Sequence, residues 1–581
     1  MRMKKRIAIL LFLLLPLAVF AQKAKPDTGR RVVMVVGKPM TSDDSLQVKR
    51  LFFSALRYKA IENFTGAAEQ FSEVLQTDPA NDASMYELAV LKKNQNDYAS
   101  AQELLEKAVT VKPQNEWYWV SLADCYEKNN DVSKLENVFN ELLKINPTNP
   151  DYYFDAANVY FLEKKYDQAL AVYDRLEQMT GFTEDIVAKR ERIYLKQGKI
   201  DKAVADVEKL IAANSGETRY YLLLAELYNS NSLPDKALKV LKDAEKGAPN
   251  NGQVHLALAD IYRDKKDYEN SYNQLTLAFS QPDLDIEQEI KIVLGYLPKF
   301  PDPNAKASAL ELSRLLTLAH PEDSRGFALY ADMLIQNEKY AEAKASYRKS
   351  IALNAQVYEV HEQLIRIELG SNEIDNAIRD GENALSLFPN QAWLNFLTGV
   401  AYEQKKDFKK AVSYISNATM LESQDKDLLS QSYSALGDCY HSLGDNEKSD
   451  NSYTKSLGFN PDNAYTLNNY AYYLSVRGTL LDKAAEMSKH SNELQPNTAS
   501  FEDTYAWILF KQKKYTDAKL WMEKAISHDK DHSAVQAEHY GDILYNLGDT
   551  DGAIKSWKKA KEYGSNSTVL ERKINEKKYV E

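Results

Sequence analysis

Residues 116–149 read EWYWVSLADCYEKNNDVSKLENVFNELLKINPTN and contain one complete copy of a motif that recurs along the chain. Counted from its first residue, this copy has Trp119 at position 4, Leu122 at 7, Ala123 at 8, Tyr126 at 11, Phe139 at 24 and Pro147 at 32. The prolines Pro79, Pro113 and Pro147 follow one another at the same interval of 34 residues, which is typical of helix-turn-helix repeats. Each proline ends an amphipathic helix, because the residue before a proline is driven out of the α region.

This array of large and small residues resembles the tetratricopeptide repeat (TPR). The resemblance extends over about nine tenths of the chain. Because each repeat of a solenoid packs only on its neighbours, the length of the chain reflects the number of repeats and not the number of globular domains. It implies an all-α fold, the TPR alpha-alpha superhelix, which is a right-handed solenoid of about 15 helix-turn-helix units, here in two arrays. It also implies that the first helices line a concave groove that binds other proteins.

The register of the repeats is regular in two stretches. The first array, residues 48–285, holds seven units that begin at residues 48, 82, 116, 150, 184, 218 and 252. The second array, residues 324–567, holds seven units that begin at residues 324, 358, 392, 430, 464, 499 and 534. Alanine recurs at position 20, where the two helices of a unit are expected to cross closely: Ala67, Ala101, Ala169, Ala203, Ala237, Ala343, Ala377, Ala411, Ala518 and Ala553.

Two insertions interrupt this register. Residues 286–323 contain four extra residues and a weak repeat whose turn is crowded by Pro298, Pro301 and Pro303. Proline prevents a continuous helix there, so we expect either a hinge or a stiff elbow between the arrays. Four residues inserted before residue 430 add about one helical turn and should lengthen a helix without breaking the stack. Residues 568–581, with Leu570 and Ile574 on one face, should form a capping helix with a polar outer side.

The N-terminus has the pattern of a secretory signal peptide. Residues 1–21 combine Arg2, Lys4, Lys5 and Arg6 with an apolar run and end in small residues, so we expect cleavage after Ala21. The apolar run is shorter than the roughly 20 residues of a membrane span, although an uncleaved anchor is the alternative. Residues 22–47 are a polar tail around an apolar run at 32–36, which either adds a strand to a partner's sheet or lies back on the first helices.

Charge and cysteine content exclude several classes of partner. Removal of the four positive charges of the signal takes the formal net charge from −11 to −15. An acidic chain repels phosphate groups, so nucleic acid is not an expected partner, and no direct membrane span is expected after cleavage. Cys125 and Cys439 both fall at position 10 of a first helix, nine units apart, which predicts two buried thiols and not a disulfide.

No residue group predicts catalysis, a cofactor or a metal ion. His528 and His532 flank two aspartates, with His539 nearby, but they span an inter-repeat loop where a solvated surface is the simpler interpretation. Residues 549–552 start like a calcium loop but lack the later acidic ligands. The chain is therefore predicted not to be an enzyme.

Binding residues are predicted on the first helices instead. Positions 2, 5 and 9 of each unit project into the groove of a TPR stack, as the resemblance implies. The resulting partner-binding groove comprises Phe52, Leu56, Tyr86, Val90, Trp117, Val120, Asp124, Phe154, Asn158 and Trp393. Its first part is apolar and aromatic, which suits an extended peptide or a helix with apolar anchors. Alternatively, the position-5 side chains pack sideways on the adjacent helix.

Position 9 also bears on the charge of a bound segment. It carries Asp124, Glu226, Asp260, Asp332, Asp438 and Asp542, which would repel a terminal carboxylate. The TPR proteins that capture a C-terminal carboxylate have Lys at position 5 with Asn at position 9 of one unit, and no unit here has that pair. We therefore expect basic or neutral partner segments.

Export, repeats and the lack of a catalytic module together predict a scaffold. The leading hypothesis is a non-enzymatic adaptor in the periplasm of a Gram-negative envelope, which holds proteins of an outer-membrane assembly or secretion complex. The first alternative is an enzyme or accessory subunit acting on peptidoglycan or other envelope glycans. The second alternative is a membrane-anchored regulator with an uncleaved N-terminus.

Overall fold

A computed structural model of the chain describes residues 40–581, which contain 31 α-helices, one short 3-10 helix and no strand. The expected all-α fold of paired helices is thereby confirmed. The expected signal peptide and the apolar run at 32–36 lie outside the described residues.

The helices form two compact units, which separate after Ser215. The first unit contains α1 (Ser42–Ala60), α2 (Phe64–Thr77), α3 (Asp82–Asn94), α4 (Tyr98–Val111), α5 (Glu116–Lys128), α6 (Val132–Ile145), α7 (Pro150–Leu162), α8 (Tyr166–Thr180), α9 (Glu184–Lys196) and α10 (Ile200–Ala213). The first helix of each of its repeats after the first begins at the residue that the register predicts.

The second unit, Gly216–Glu581, contains the other helices. They are α11 (Thr218–Ser230), α12 (Pro234–Gly247), α13 (Gly252–Asp264), α14 (Tyr268–Ala278), α15 (Ile286–Leu294), the 3-10 helix Leu297–Lys299, α16 (Pro303–Ala319), α17 (Ser324–Gln336), α18 (Tyr340–Leu353), α19 (Tyr358–Gly370), α20 (Ile374–Leu387), α21 (Ala392–Gln404), α22 (Phe408–Leu421), α23 (Lys426–Ser442), α24 (Asn446–Phe459), α25 (Ala464–Val476), α26 (Leu481–Leu494), α27 (Ala499–Lys511), α28 (Tyr515–His528), α29 (Ala534–Asn546), α30 (Thr550–Glu562) and α31 (Thr568–Glu576). Residues 286–323 lie inside this unit, and their role as a hinge or elbow between two arrays stays a prediction.

The turns inside the repeats share one backbone geometry. In the turns before α4, α6 and α8, a residue with positive φ stands two positions ahead of the second helix: Asn96, Asn130 and Lys164, with φ between 58° and 60°. Such a residue ends the first helix, since the left-handed conformation cannot continue it. The following Asp or Asn often caps the next helix; Asp97, for example, accepts the amide N–H of Ser100 at 3.2 Å.

Small residues set the spacing of the paired helices. The position-20 alanines are fully buried in both units, including Ala67, Ala169, Ala411 and Ala553, each with no exposed surface. In some units glycine replaces alanine at position 8 and lies in close contact with the side chain at position 24. A Cβ atom added at Gly437 would lie 2.6 Å from the Tyr453 ring. The pairing of small with large residues therefore follows from close packing of the helices.

Helix α1 begins earlier than the sequence pattern indicates. Residues 42–47, expected in the polar tail, form its first turns because Thr41 and Asp44 build a capping box. The Thr41 hydroxyl accepts the amide N–H of Asp44 at 3.1 Å, and the Asp44 carboxylate accepts the amide N–H of Thr41 at 2.9 Å.

The two insertions have different consequences. Helix α23 has 17 residues, four more than the 13 residues of α21 and α25, so the insertion before residue 430 does add one turn. In the irregular segment, α14 and α15 have only 11 and 9 residues, while α16 has 17. The prolines mark the turn between α15 and α16, as the sequence indicates.

The final helix is more than a polar cap. Leu570 of α31 is fully buried, as expected. Lys573 is buried as well, with only 4% of its surface exposed. Its ammonium lies 2.9 Å from Glu538 and 2.7 Å from Asp542 on α29. Residues 577–581 then turn back onto α27, where the rings of Tyr579 and Phe510 lie 5.7 Å apart.

Candidate functional site

The position-5 side chains of the first unit are only partly buried. Phe52 lies 5.7 Å from the Phe71 ring, Tyr86 lies 5.1 Å from the Tyr118 ring, and Phe154 lies 6.0 Å from the Tyr173 ring, all measured between ring centroids. Each ring therefore contacts a neighbouring helix, as the second alternative expects, and keeps part of its surface accessible. Projection of these rings into a groove stays a prediction. Val120, at the same position, packs against the core of the unit.

The two predicted tryptophans have different environments. The side chain of Trp117 is 71% exposed at the start of α5. Trp393 is half-buried, because the Arg366 guanidinium lies 4.3 Å above its ring and the Phe396 ring lies 5.7 Å away. Trp117 is thus available to a partner, whereas Trp393 is already covered on one face.

Two of the predicted residues line one small cavity of about 230 Å³ between α7, α8 and α9. Phe154 and Asn158 contribute to it, together with Phe161 and Tyr173. Charged residues complete its rim: Asp155 on α7, and Lys189 and Arg192 on α9. The other predicted residues, Phe52, Leu56, Tyr86, Val90, Trp117, Val120, Asp124 and Trp393, lie on their own first helices and do not line this cavity.

Arg192 was not identified as a binding residue from the sequence, although the repeat register places it at a groove position. It occupies position 9 of the fifth unit, and its guanidinium lies 4.5 Å above the Phe161 ring. On the opposite rim, burial raises the pKa of Asp155, with a further contribution from Glu127. The cavity therefore combines aromatic walls with one acidic and two basic groups, an arrangement suited to a partner side chain that has an apolar stem and a polar end.

Most of the position-9 carboxylates already have internal partners. Asp438 accepts the Tyr453 hydroxyl at 2.8 Å, and Asp542 accepts the Trp557 indole N–H at 2.9 Å. Asp332 accepts the Tyr347 hydroxyl in the same way. In each case the partner stands at position 24 of the same unit.

The remaining position-9 acids behave differently. Asp124 pairs with Lys93 at 2.6 Å and Asp260 with Arg263 at 2.8 Å, while Glu226 is exposed on α11. Three of the six acids, Asp124, Asp260 and Asp542, pair with a cation, and the repulsion of a terminal carboxylate by position 9 stays a prediction. An Asp at position 9 with a Tyr or Trp at position 24 of the same unit was the available sequence signal for an internal hydrogen bond, as in the units that begin at residues 324, 430 and 534.

The histidines near the C-terminus do not form one site. His528 contacts Glu502 at 2.8 Å, while His539 contacts Asp503 at 2.9 Å and stacks on Trp507 with 3.9 Å between centroids. His532 stacks instead on Tyr563. In residues 40–581, no group of three or more His, Cys, Asp or Glu side chains is arranged to hold a metal ion. Cys125 and Cys439 are free and buried, and burial raises the pKa of both thiols.

Sequence models described as tetratricopeptide repeat match four segments, residues 62–116, 194–261, 324–357 and 430–463. These segments are tetratricopeptide repeats. The segments 324–357 and 430–463 coincide with whole units of the register, whereas 62–116 and 194–261 begin within a unit. Among residues 40–581, none of the helices combines the length and the apolar composition that a transmembrane span requires.

Relatives match this chain over short stretches. The TPR repeat-containing protein PA4667 of Pseudomonas aeruginosa is 33% identical over 82 residues, which is 14% of each chain. Anaphase-promoting complex subunit 3 of Schizosaccharomyces pombe is 33% identical over 86 residues, which is 15% of this chain and 13% of that protein. The matched TPR stretch thus spans about one seventh of either relative.

Among solved structures, a tetratricopeptide repeat protein from Parabacteroides merdae is similar to 44% of this chain. The match covers 98% of that protein at 16% identity, with a TM-score of 0.36.

Proposed function

We propose that this protein is a non-enzymatic scaffold that binds segments of other proteins along the first helices of its TPR units. The cavity between α7, α8 and α9 carries the proposal, because it brings Phe154 and Asn158 together with aromatic and charged side chains. The exposed Trp117 on α5 adds an accessible ring of the type that contributes most to interface energies.

We further propose that the protein acts in the periplasm of a Gram-negative envelope and serves an outer-membrane assembly or secretion complex. The signal-like residues 1–21 support export, and the repeats support a role in assembly. Its partners would then be other proteins of the cell envelope. Sequencing the N-terminus of the mature protein tests export: a chain that starts at Gln22 supports it, and an intact Met1 contradicts cleavage.

Cross-linking and affinity isolation of the tagged protein from envelopes of its host test the binding proposal. We expect a reproducible set of partners that is depleted when Trp117, Phe154 and Arg192 are all changed to alanine. Met420→Ala is the matched control, since Met420 is 76% exposed on a second helix. Partners that are absent from the wild-type sample, or retained equally by the triple variant, would refute binding at these first helices.

A further inference from the structure

A larger cavity of about 830 Å³ lies in the second unit, among α13, α14, α15 and α16. It is absent from the sequence-based predictions because it arises where the repeat is irregular. Helix α15 ends at Leu294, and the chain then passes through Gly295 and the 3-10 helix Leu297–Lys299. Residues from the end of α15 and from the segment that follows it line the cavity. Its volume lies within the range of about 300–1,000 Å³ that is usual for ligand pockets.

The cavity has apolar and aromatic walls. Leu256 of α13, Leu275 of α14 and Ile292 of α15 line it together with Tyr272 and Tyr296. Burial raises the pKa of both phenols, so their hydroxyls keep their protons at neutral pH and can donate hydrogen bonds. The walls therefore suit a bulky side chain, and the hydroxyls suit an acceptor beside it.

The charge balance of the rim favours an acidic ligand. Three cations line the cavity: Arg263, Lys291 and Lys299. Two acids also line it, so three positive and two negative groups sum to a charge of +1. Asp260 contacts Arg263 at 2.8 Å, and Asp302 accepts the amide N–H of Asn304 at 3.0 Å.

The two lysines remain available. Lys299 lies 5.3 Å above the Tyr296 ring, and neither Lys291 nor Lys299 has a carboxylate partner among the described residues. This local excess of positive charge is opposite in sign to the chain as a whole, whose net charge is −11.

We propose that this cavity binds a partner-protein segment in which an aromatic side chain is flanked by glutamate or aspartate. The ring enters between Tyr272 and Tyr296, and the flanking carboxylates pair with Lys291 and Lys299. The inference rests on the proposed scaffold function and specifies partner chemistry at a second place in the chain. It differs from the expectation of basic or neutral segments, because Lys291 and Lys299 line this cavity and its position-9 acid, Asp260, pairs with Arg263.

Fluorescence anisotropy with labelled synthetic peptides tests this inference on the full chain purified without residues 1–21. The probes are GSEEFEEGS, its charge-reversed form GSKKFKKGS and its ring-deleted form GSEEAEEGS. We expect GSEEFEEGS to bind at least about tenfold more tightly than either control peptide. GSKKFKKGS cannot form the two ion pairs, which together contribute about that factor, and GSEEAEEGS lacks the ring that the cavity would bury.

Two variants locate the binding. The double variant Lys291→Glu/Lys299→Glu should weaken GSEEFEEGS at least about tenfold and strengthen GSKKFKKGS. Ser308→Leu, which places a larger side chain in the cavity wall, should weaken both the acidic and the basic ring peptide. Lys409→Glu/Lys530→Glu makes the same change of charge at exposed positions outside the cavity and should leave binding unchanged. Circular dichroism and melting curves confirm that each variant is folded.

Several outcomes would overturn the inference: no binding of GSEEFEEGS, equal binding of all three peptides, or equal losses in the cavity and control variants. Failure here is distinguishable from failure of the scaffold function. Partners that are still captured from envelopes through Trp117, Phe154 and Arg192 would preserve the scaffold function while excluding this cavity.

Discussion

The last regular repeat and the irregular segment fill the space between their helices in opposite ways. In the repeat formed by α29 and α30, Trp557 is fully buried against Gly541 and donates its indole N–H to Asp542. In the irregular segment, two short helices leave about 830 Å³ open beside Tyr272 and Tyr296. The Trp557 ring thus closes the core of the repeat formed by α29 and α30, whereas the short helices α14 and α15 border an open cavity.

The largest expected effect on stability comes from removing the Trp557 ring from the repeat formed by α29 and α30, which we call the closed repeat. Trp557→Ala should reduce the free energy of unfolding by about 3–5 kcal/mol, since it removes a fully buried ring and leaves a cavity. Urea denaturation measures the change. Trp117→Ala is the control, because Trp117 is 71% exposed and its loss should change stability by less than about 0.5 kcal/mol. Equal effects of the two substitutions would contradict the closed packing.

The largely buried carboxyl group of Glu403, on α21, should make the stability of the fold depend on pH. Burial, assisted by Asp438, raises the pKa of Glu403 from 4.5 to about 8. Between these values the folded state binds more protons than the unfolded state, so ionisation of Glu403 destabilises the fold as pH rises. The stability provided by the neutral form is complete below about pH 4.5 and is lost as pH rises through about 8.

Glu403→Gln should therefore gain stability relative to the wild type as pH rises, by at most about 1.4 kcal/mol per pH unit across this window. Urea denaturation at pH 5, 7 and 9 measures the trend. Glu486→Gln, on the exposed surface of α26, controls for the loss of one charge. A difference between Glu403→Gln and the wild type that does not change with pH would show that Glu403 ionises normally in the folded protein.

Overpacking the closed repeat should have an intermediate effect. A Cβ atom at Gly541 would lie 2.4 Å from the Trp557 ring, so Gly541→Ala should cost about 1–3 kcal/mol. Gly458→Ala, near the end of α24, has open space around the new atom and should be neutral or slightly stabilising. Thermal melting distinguishes the two, and a stable Gly541→Ala variant would mean that the helices can separate there at little cost.

The smallest stability effect is expected in the open cavity. Ser308→Leu should change the free energy of unfolding by less than about 1 kcal/mol, because the added side chain enters existing space. Its melting curve should thus resemble that of the wild type. A large loss of stability would indicate that the residues around the cavity pack as tightly as those of a regular repeat.

Much of the fold was predictable because its determinants are local. The 34-residue interval places the starts of most first helices, and the alanines at position 20 are fully buried as expected. The early start of α1 was missed, although the capping box at Thr41 and Asp44 is a local signal. The candidate site was predictable only in part: Phe154 and Asn158 line a cavity, but their charged neighbours on α9 were not identified.

The sequence by itself determined the helix pairs, because proline, capping residues and the spacing of small and large side chains act within one or two helices. Only the tertiary structure decided which polar groups are free. The Asp542 carboxylate is bonded by Trp557, 15 residues away, and by Lys573, 31 residues away. The open cavity likewise depends on where four helices end relative to one another. Such pairings depend on how the helices cross, because the crossings bring residues that are distant in sequence into contact. The pairings therefore cannot be inferred from the position of one residue in its repeat.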